Sequence, residues 1–554
     1  MSLRIAGGTI YDPVNALDGV VRDLWIRDGK IIAPFDEPPS RTIDATGLVV
    51  MPGGVDMHTH IAGPKINAAR RLSPERRDSS PIRRTAITRS GTAGSVPSTY
   101  ATGYLYAGLG YTTAVDPAIT PLGARHAHLE LADTPVVDSA LLISLGDHHY
   151  ALDRLAHGDY DRFRAFIGWV LRSTQGYGVK LVNPGGVETY KQGGSRCGLD
   201  ETVPSFGVTP RQIIRIYAQA VDELGLPHAI HVHGADLGMP GNAPTTLATM
   251  QSLDGRRGHF THIQFHSYGG DKDDPESLVS RASELAEYVN SHPEITVDVG
   301  QVMFGPTMTL TGDSALGHYL ARATGRRYLD FDTECEGGCG ISPIEYKDAN
   351  FVNAMQWAIG LEWFLLVKDP WRVAMTTDHP SGGAFVAYPE IVQLLMSRDY
   401  RREILARLPP KVRERTVLTD LDREYTLSEI AIITRAGPAR ILGLPYKGHL
   451  GVGADADIAI YAPSADRKTM FTLPRFVLKA GEVIVENAEI RKTTFGQTLT
   501  AAPDHDSGFV PHLRDWFSLH HSIQFANFPI HDDFLEHGQV QVKCQPGNAR
   551  FGTT

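Results

Sequence analysis

Apolar and polar residues alternate through the opening of the chain. The runs LRIAGGTIYD, DLWIRDGKIIAP and TIDATGLVVMPG place apolar side chains two apart, with D-G and G-G pairs as punctuation. That period predicts short strands joined by turns, a small antiparallel sheet. A related texture returns at Gly451–Tyr461 and in RFVLKAGEVIVENAEI. Residues 1–51 and 441–500 are therefore expected to build one satellite sheet from both ends of the chain.

Between residues 52 and 440 strand-like runs alternate with helix-like ones. GVDMHTH, YTTAVDP, VVDSALLIS, VKLVN, HAIHVHG, HFTHIQFH, ITVDVGQ and RVAMTTD read as eight strands. Asp161–Ser173, Pro210–Gly225 and Glu276–Ser291 read as intervening helices. Eight βα units in succession predict an α/β chain with a parallel (β/α)8 TIM barrel. About 390 residues is long for that fold, so insertions are expected, most clearly Pro64–Pro97 and Phe304–Asp348. Residues 501–554 show no repeat and read as an extension that packs on the barrel or on a partner.

Composition narrows the function. A chain of 554 residues exceeds the roughly 250–300 at which one hydrophobic core stops growing. A net charge of -10 argues against nucleic acid or anionic lipid as the main partner. No apolar run reaches the 18 residues of a membrane span, and MSLRIAGGTIYDPVN lacks the core of a signal peptide. Four cysteines in this length suggest a reducing, cytoplasmic setting. Only 13 of the 53 basic residues are lysines, so a lysine inside an apolar strand stands out.

Polar residues gather where the strands end. His58 and His60 form an H-x-H pair, and i and i+2 on a strand face the same way, so both imidazoles can reach one ion. Lys180 sits inside V-K-L-V-N, an expensive place for a cation unless it is paired or modified. Strand five ends in His231-Val-His233, strand six carries His259, His262 and His266, and strand eight ends in Thr377-Asp378-His379. Each feature alone is equally consistent with a satisfied core residue or a snorkelling lysine. Together they make a specific succession of strand ends.

Those residues carry a resemblance. Pro52-Gly-Gly-Val-Asp-Met-His-Thr-His60 resembles the P-G-x-x-D-x-H-x-H motif of the amidohydrolase superfamily, and Gly448–Ile458 resembles its closing segment. The resemblance implies a barrel with a composite β-sandwich, and two Zn2+ or similar divalent metals bridged by a carboxylated Lys180. It makes His58, His60 and Asp378 ligands of the first ion and His233 and His262 ligands of the second. His231 competes with His233, and His266 competes with His262 or faces substrate.

A narrower likeness lies in His60–Asn67, Val179–Gly186, His233–Asn242, Thr261–Gly270 and Thr377–Pro380. These segments resemble the amidohydrolase-type subunit of formylmethanofuran dehydrogenase and of the related bacterial formyltransferase/hydrolase complex. The implied substrate is the N-formyl amide of a furfurylamine carrier, methanofuran or methylofuran, with a glutamate-containing tail. The implied partners are the other subunits of such a complex, and Arg-rich composition leans toward the bacterial one. Two divalent ions ~3.5–4 Å apart would activate a water toward the formyl carbon. Asp378 would accept the water proton and return it to the leaving amine.

Asn183, His266, His379, Arg70 and Arg71 are candidates for substrate contact, with Arg76 and Arg77 adding to a local basic patch. A charge run of this kind is more often a solvated face. Cys335-Glu-Gly-Gly-Cys339 matches no zinc or cluster spacing and reads as a Gly-rich loop, so redox centres would sit on another subunit. The apolar stretch after Asn350 reads as core packing. Competing functions are a cyclic amidohydrolase of dihydroorotase or hydantoinase type, and a non-catalytic scaffold subunit.

Overall fold

The structure is a computed structural model that describes residues 2–72, 74, 84–192, 197–313 and 329–545. Eight parallel strands follow one another around a barrel: Gly54–Asp56, Tyr111–Ile119, Asp138–Ser144, Gly178–Val182, Ile230–His233, Gly258–Phe260, Ile295–Asp298 and Val373–Ala374. Strands one and eight meet just beyond their ends, where Thr59 pairs with His379 and the His60 N–H donates to the His379 carbonyl at 2.7 Å. Strand interiors such as Val115, Leu141, Leu181 and Val232 are fully buried, as parallel strands covered by helices must be.

The helices are set by local chemistry. Pro210–Glu223 starts on a capping box in which Thr209 and Gln212 satisfy each other's backbone donors, with Pro210 in the first turn. Tyr160–Ser173 is capped by Asp159, and Phe351–Leu366 by Asn350. The latter buries Met355, Trp357, Leu361 and Phe364, the core role expected of it. Glu276–Ser291 is helical only from Ala282. Its first part makes a 3-10 turn at Pro275–Ser277 and a two-residue strand at Val279–Ser280 paired with Tyr268–Gly269.

Strand six is shorter than its pattern suggests. It ends at Phe260, His262 takes a left-handed φ of 35°, and Ile263–His266 forms a 3-10 turn. Gly300, after strand seven, makes that turn possible. A Cβ there would sit 2.4 Å from the His262 Cβ, and its φ is +62°.

Nine strands from both ends of the chain form one mixed sheet, with Val49–Pro52 hydrogen-bonded to Ile458–Tyr461. It is fastened to the barrel by a buried charge cluster. Lys447 and Lys479 both bond Asp138 of strand three, and each lies 2.8 Å from Asp457. The second insertion folds as a three-stranded antiparallel sheet, Gly305–Thr311, Leu329–Thr333 and Gly337–Tyr346. The Cys335–Cys339 segment expected to be a plain loop is thus the turn and strand start of a hairpin. The C-terminal extension packs on the barrel: Thr498–Ala501 joins strand three, and Trp169 stacks on Phe525 and Phe528 at 5.5 and 5.4 Å. No helix among the described residues is long and apolar enough to cross a membrane.

Asp138→Ala is expected to lower stability by about 3–5 kcal/mol, because it leaves the buried ammonium groups of Lys447 and Lys479 one carboxylate short. The midpoint of urea unfolding checks this, and an unshifted midpoint contradicts it.

Candidate metal centre

Two sets of side chains converge at the C-terminal mouth of the barrel. His58 and His60 follow strand one and Asp378 follows strand eight, its φ of 50° turning the carboxylate inward. Asp378 Oδ1 lies 2.9 Å from His58 Nε2 and 3.1 Å from His60 Nε2. Neither contact is aligned as a hydrogen bond, and Oδ1 has no hydrogen-bond partner among the described residues. Across the mouth, ligand atoms of His233, His262 and His266 lie within 4.8 Å of one another, as do those of His58, His262 and Asp378. His262 belongs to both sets.

Lys180 rises between them from strand four. It is 1% exposed, and its Nζ has no hydrogen-bond partner among the described residues. Burial holds its amine down at about 7, against an ordinary 10.5. Burial also holds the imidazoles of His233 and His262 low, and that of His266 at about 3. Burial alone would raise Asp378, but the charge of His58 beside it keeps the carboxyl well below the usual range. The mouth therefore presents the neutral imidazoles of His233, His262 and His266, one carboxylate beside His58, and a lysine poised to lose its proton.

Asp298, at the end of strand seven, organises the layer beneath. Its Oδ2 faces His58 Nδ1 at 3.2 Å and His259 Nε2 at 3.0 Å, while Oδ1 accepts from the His262 N–H at 2.8 Å. With Nδ1 turned to a carboxylate, His58 offers its Nε2 lone pair to the mouth. Asp116 of strand two plays the matching part for His60, 3.4 Å from its Nδ1 and 3.2 Å from Lys65 Nζ. Both aspartates close apolar strand patterns, YTTAVDP and ITVDVG, the one signal that would have marked them. Asp56 of the P-G-x-x-D motif stays below the mouth, accepting from the Tyr106 and Tyr388 hydroxyls at 2.7 and 2.6 Å.

The other sequence candidates divide. His231 lies a layer deeper than His233, its Nε2 3.1 Å from His58 Nδ1 and its Nδ1 3.1 Å from His228. His266 stands with His233 and His262, both its ring nitrogens without partners among the described residues. Asn183 donates to Asp313, itself 3.5 Å from His233 Nε2. Three expected substrate contacts are not placed for that role. Arg70 is buried, its guanidinium held by the Pro97 and Ile61 carbonyls and by Glu130 at 2.7 Å. Arg71 is exposed and lines no part of the cavity, and the His379 ring accepts from the Phe385 N–H. Arg76 and Arg77 lie outside the described residues.

A cavity of about 650 Å3 opens above these groups. His58, His60, Lys180, His233, His262 and Asp378 line its floor, and Met239, Phe265, Leu278, Ile344, Tyr346 and Val352 its walls. The donor set fits a pair of divalent ions. Imidazoles and a carboxylate converge on common points, His233 Nε2, His262 Nδ1 and Asp378 Oδ1 without hydrogen-bond partners among the described residues, around a lysine amine that no neighbour neutralises.

The chain belongs to the amidohydrolase family, whose match spans residues 41–485. It is 41% identical to Protein FwdA of Methanocaldococcus jannaschii, over 98% of both chains. It is also 41% identical to a subunit of the formyltransferase/hydrolase complex Fhc of Methylorubrum extorquens, over 96% of this chain and 97% of that one. A chain in the crystal structure of that organism's FhcABCD complex with methylofuran superposes with a TM-score of 0.93 at 38% identity, covering 98% of this chain and 100% of that one.

Asp298→Asn is expected to weaken metal retention by about 10–100-fold, since His58 loses the anion that orients it. Metal analysis after dialysis measures this, and full retention contradicts the role given to Asp298.

Proposed function

We propose that this chain is the hydrolytic subunit of a cytoplasmic hetero-oligomeric complex, acting on the N-formyl amide of a methanofuran- or methylofuran-type carrier. The reaction is R–NH–CHO + H2O → R–NH3+ + HCOO−, run in either direction. The observation that carries the reading is the ring of unpartnered donors around the unpaired Lys180 amine, at the floor of a cavity with apolar walls. The likeness to a formyltransferase/hydrolase complex supplies the substrate class and favours that assembly. Equal identity to the Methanocaldococcus protein supports a second reading, the corresponding subunit of a formylmethanofuran dehydrogenase, in which the same site works beside redox subunits.

In this reading His58, His60 and Asp378 would hold one divalent ion and His233 and His262 the other, and Lys180, once carboxylated, would serve as a further ligand. Such a pair of ions supplies a Lewis acid for the amide carbonyl and a water of lowered pKa. The neutral Lys180 amine adds to carbon dioxide and releases a proton, becoming an anion suited to its buried place. Asp378 takes the proton of the attacking water and passes it to the amine nitrogen as the C–N bond breaks. Phe265, Met239 and Tyr346 enclose the reacting amide and limit bulk water. Lys272, exposed at the rim of the cavity, is the cation placed to meet a carboxylate-bearing tail.

Asp378→Asn is expected to lower formate release from an N-formyl furfurylamine carrier by about 10²–10⁴-fold. Assay of the purified complex, with metal content measured on the same sample, tests this. Wild-type rates in the variant, or clearly less than one ion per native chain, overturn the reading.

Lys180 gives a second test that does not depend on activity. In metal-free, uncarboxylated chain the folded amine titrates near 7 and the unfolded one near 10.5. The unfolded chain then binds the extra proton between those values, so this group's contribution to stability rises with pH across that window. Its penalty is full below about pH 7. Lys180→Met is expected to flatten that part of the pH–stability curve, and an unchanged slope contradicts it.

A further inference from the structure

A second cluster of ligand-type side chains lies apart from the donors of the barrel mouth. His148 follows barrel strand three, Glu336 lies in the turn before Gly337–Tyr346, and His521 follows helix Val510–His520. Barrel, second insertion and C-terminal extension each contribute one residue, and one ligand atom from each lies within 4.8 Å of the others. Their side chains are 3%, 0% and 0% exposed.

The spacing is not that of an ordinary ion-pair network. Glu336 Oε1 lies 3.8 Å from His148 Nε2 and 3.7 Å from His521 Nε2. Both distances are too long for hydrogen bonds. They approach the ~3.4 Å expected between two ligand atoms on one tetrahedral zinc ion with bonds of about 2.0–2.2 Å. Glu336 Oε1 and both ring nitrogens of His521 have no hydrogen-bond partner among the described residues. Buried polar atoms are seldom left so.

The surroundings fix each donor. Glu336 Oε2 accepts from the Leu122 N–H at 2.6 Å, which aims Oε1 at the two imidazoles. Phe517 stacks on His521 at 4.1 Å and 3° between planes. The His149 N–H donates to the Cys335 carbonyl at 2.9 Å, and the Ser522 N–H to Glu334 at 2.9 Å. These bonds hold the three segments together one or two residues away from the cluster.

We propose that His148, Glu336 and His521 form a further divalent-metal site, distinct from the barrel mouth, which binds a zinc-type ion and ties the extension and the insertion to the barrel. Two imidazole nitrogens and one carboxylate oxygen suit a borderline transition ion, whereas calcium and magnesium call for oxygen sets. Burial keeps the His148 imidazole below its ordinary pKa, in the neutral form that binds metal. Glu336 also lines the cavity, which gives an ion and a water ligand a route to the cluster. The site is independent of the reaction assigned to the barrel mouth.

Diffraction at the zinc edge, on crystals of the native complex grown with zinc, is expected to show an anomalous peak between these three residues. No peak there overturns the proposal. In solution, native chain is expected to hold one ion more than His521→Ala or the near-isosteric Glu336→Gln, while Lys180→Ala retains that ion. Equal metal content in native chain and both variants, with the variants folded by circular dichroism, also overturns it.

Discussion

An ammonium group that nothing neutralises cannot be left in the middle of a barrel, and the mouth of this molecule is arranged around that constraint. Lys180 lies in an apolar strand, its amine buried and without a hydrogen-bond partner among the described residues. Burial moves it most of the way to neutrality, and neutrality makes it a nucleophile toward carbon dioxide. Replacing that amine by a short aliphatic side chain would relieve the electrostatic penalty. A lysine here is costly to the fold unless its chemistry is used, and neighbouring imidazoles with free nitrogens are the means of using it.

The donors around Lys180 depend on a lower tier of carboxylates. Asp298 and Asp116 face the inner nitrogens of His58 and His60, so each imidazole points its other nitrogen at the mouth. Both are fully buried and ionised because each is flanked by positive or donor groups: His58 and His259 for one, Lys65 and His60 for the other. Apolar cavity walls work in the same direction, since low polarity strengthens every interaction on the floor. The barrel thus stacks an oriented anionic layer, a layer of ligand-type side chains and a cavity with apolar walls along one axis.

Much of this was legible in the sequence because side-chain direction on a strand follows from parity alone. His58, His60, His233 and Asp378 fall at the ends of runs whose apolar pattern marks them as strands, Lys180 falls inside one, and all line the cavity floor. Legibility failed where the backbone leaves its regular period. His262 and His266 read as one continuing strand, yet a left-handed residue and a 3-10 turn bring them beside His233. Arg70 looked like part of a basic patch because charge is visible in sequence, while the two carbonyls and Glu130 that hold it are not. Likewise the consecutive histidines His520 and His521 of the tail gave no sign that His521 meets Glu336 from 185 residues earlier.

The join between the first and last strands has its own consequence. Beyond their ends these strands touch through one bridge and one backbone hydrogen bond, at Thr59, His60 and His379. His58, His60 and Asp378 sit astride this seam, so an ion shared among them is also a clasp between stretches of chain more than 300 residues apart. Loss of the ion and parting of the seam then become a single equilibrium. Hydrogen exchange at the amide of His60 reports how far the cylinder is held shut by its own cargo.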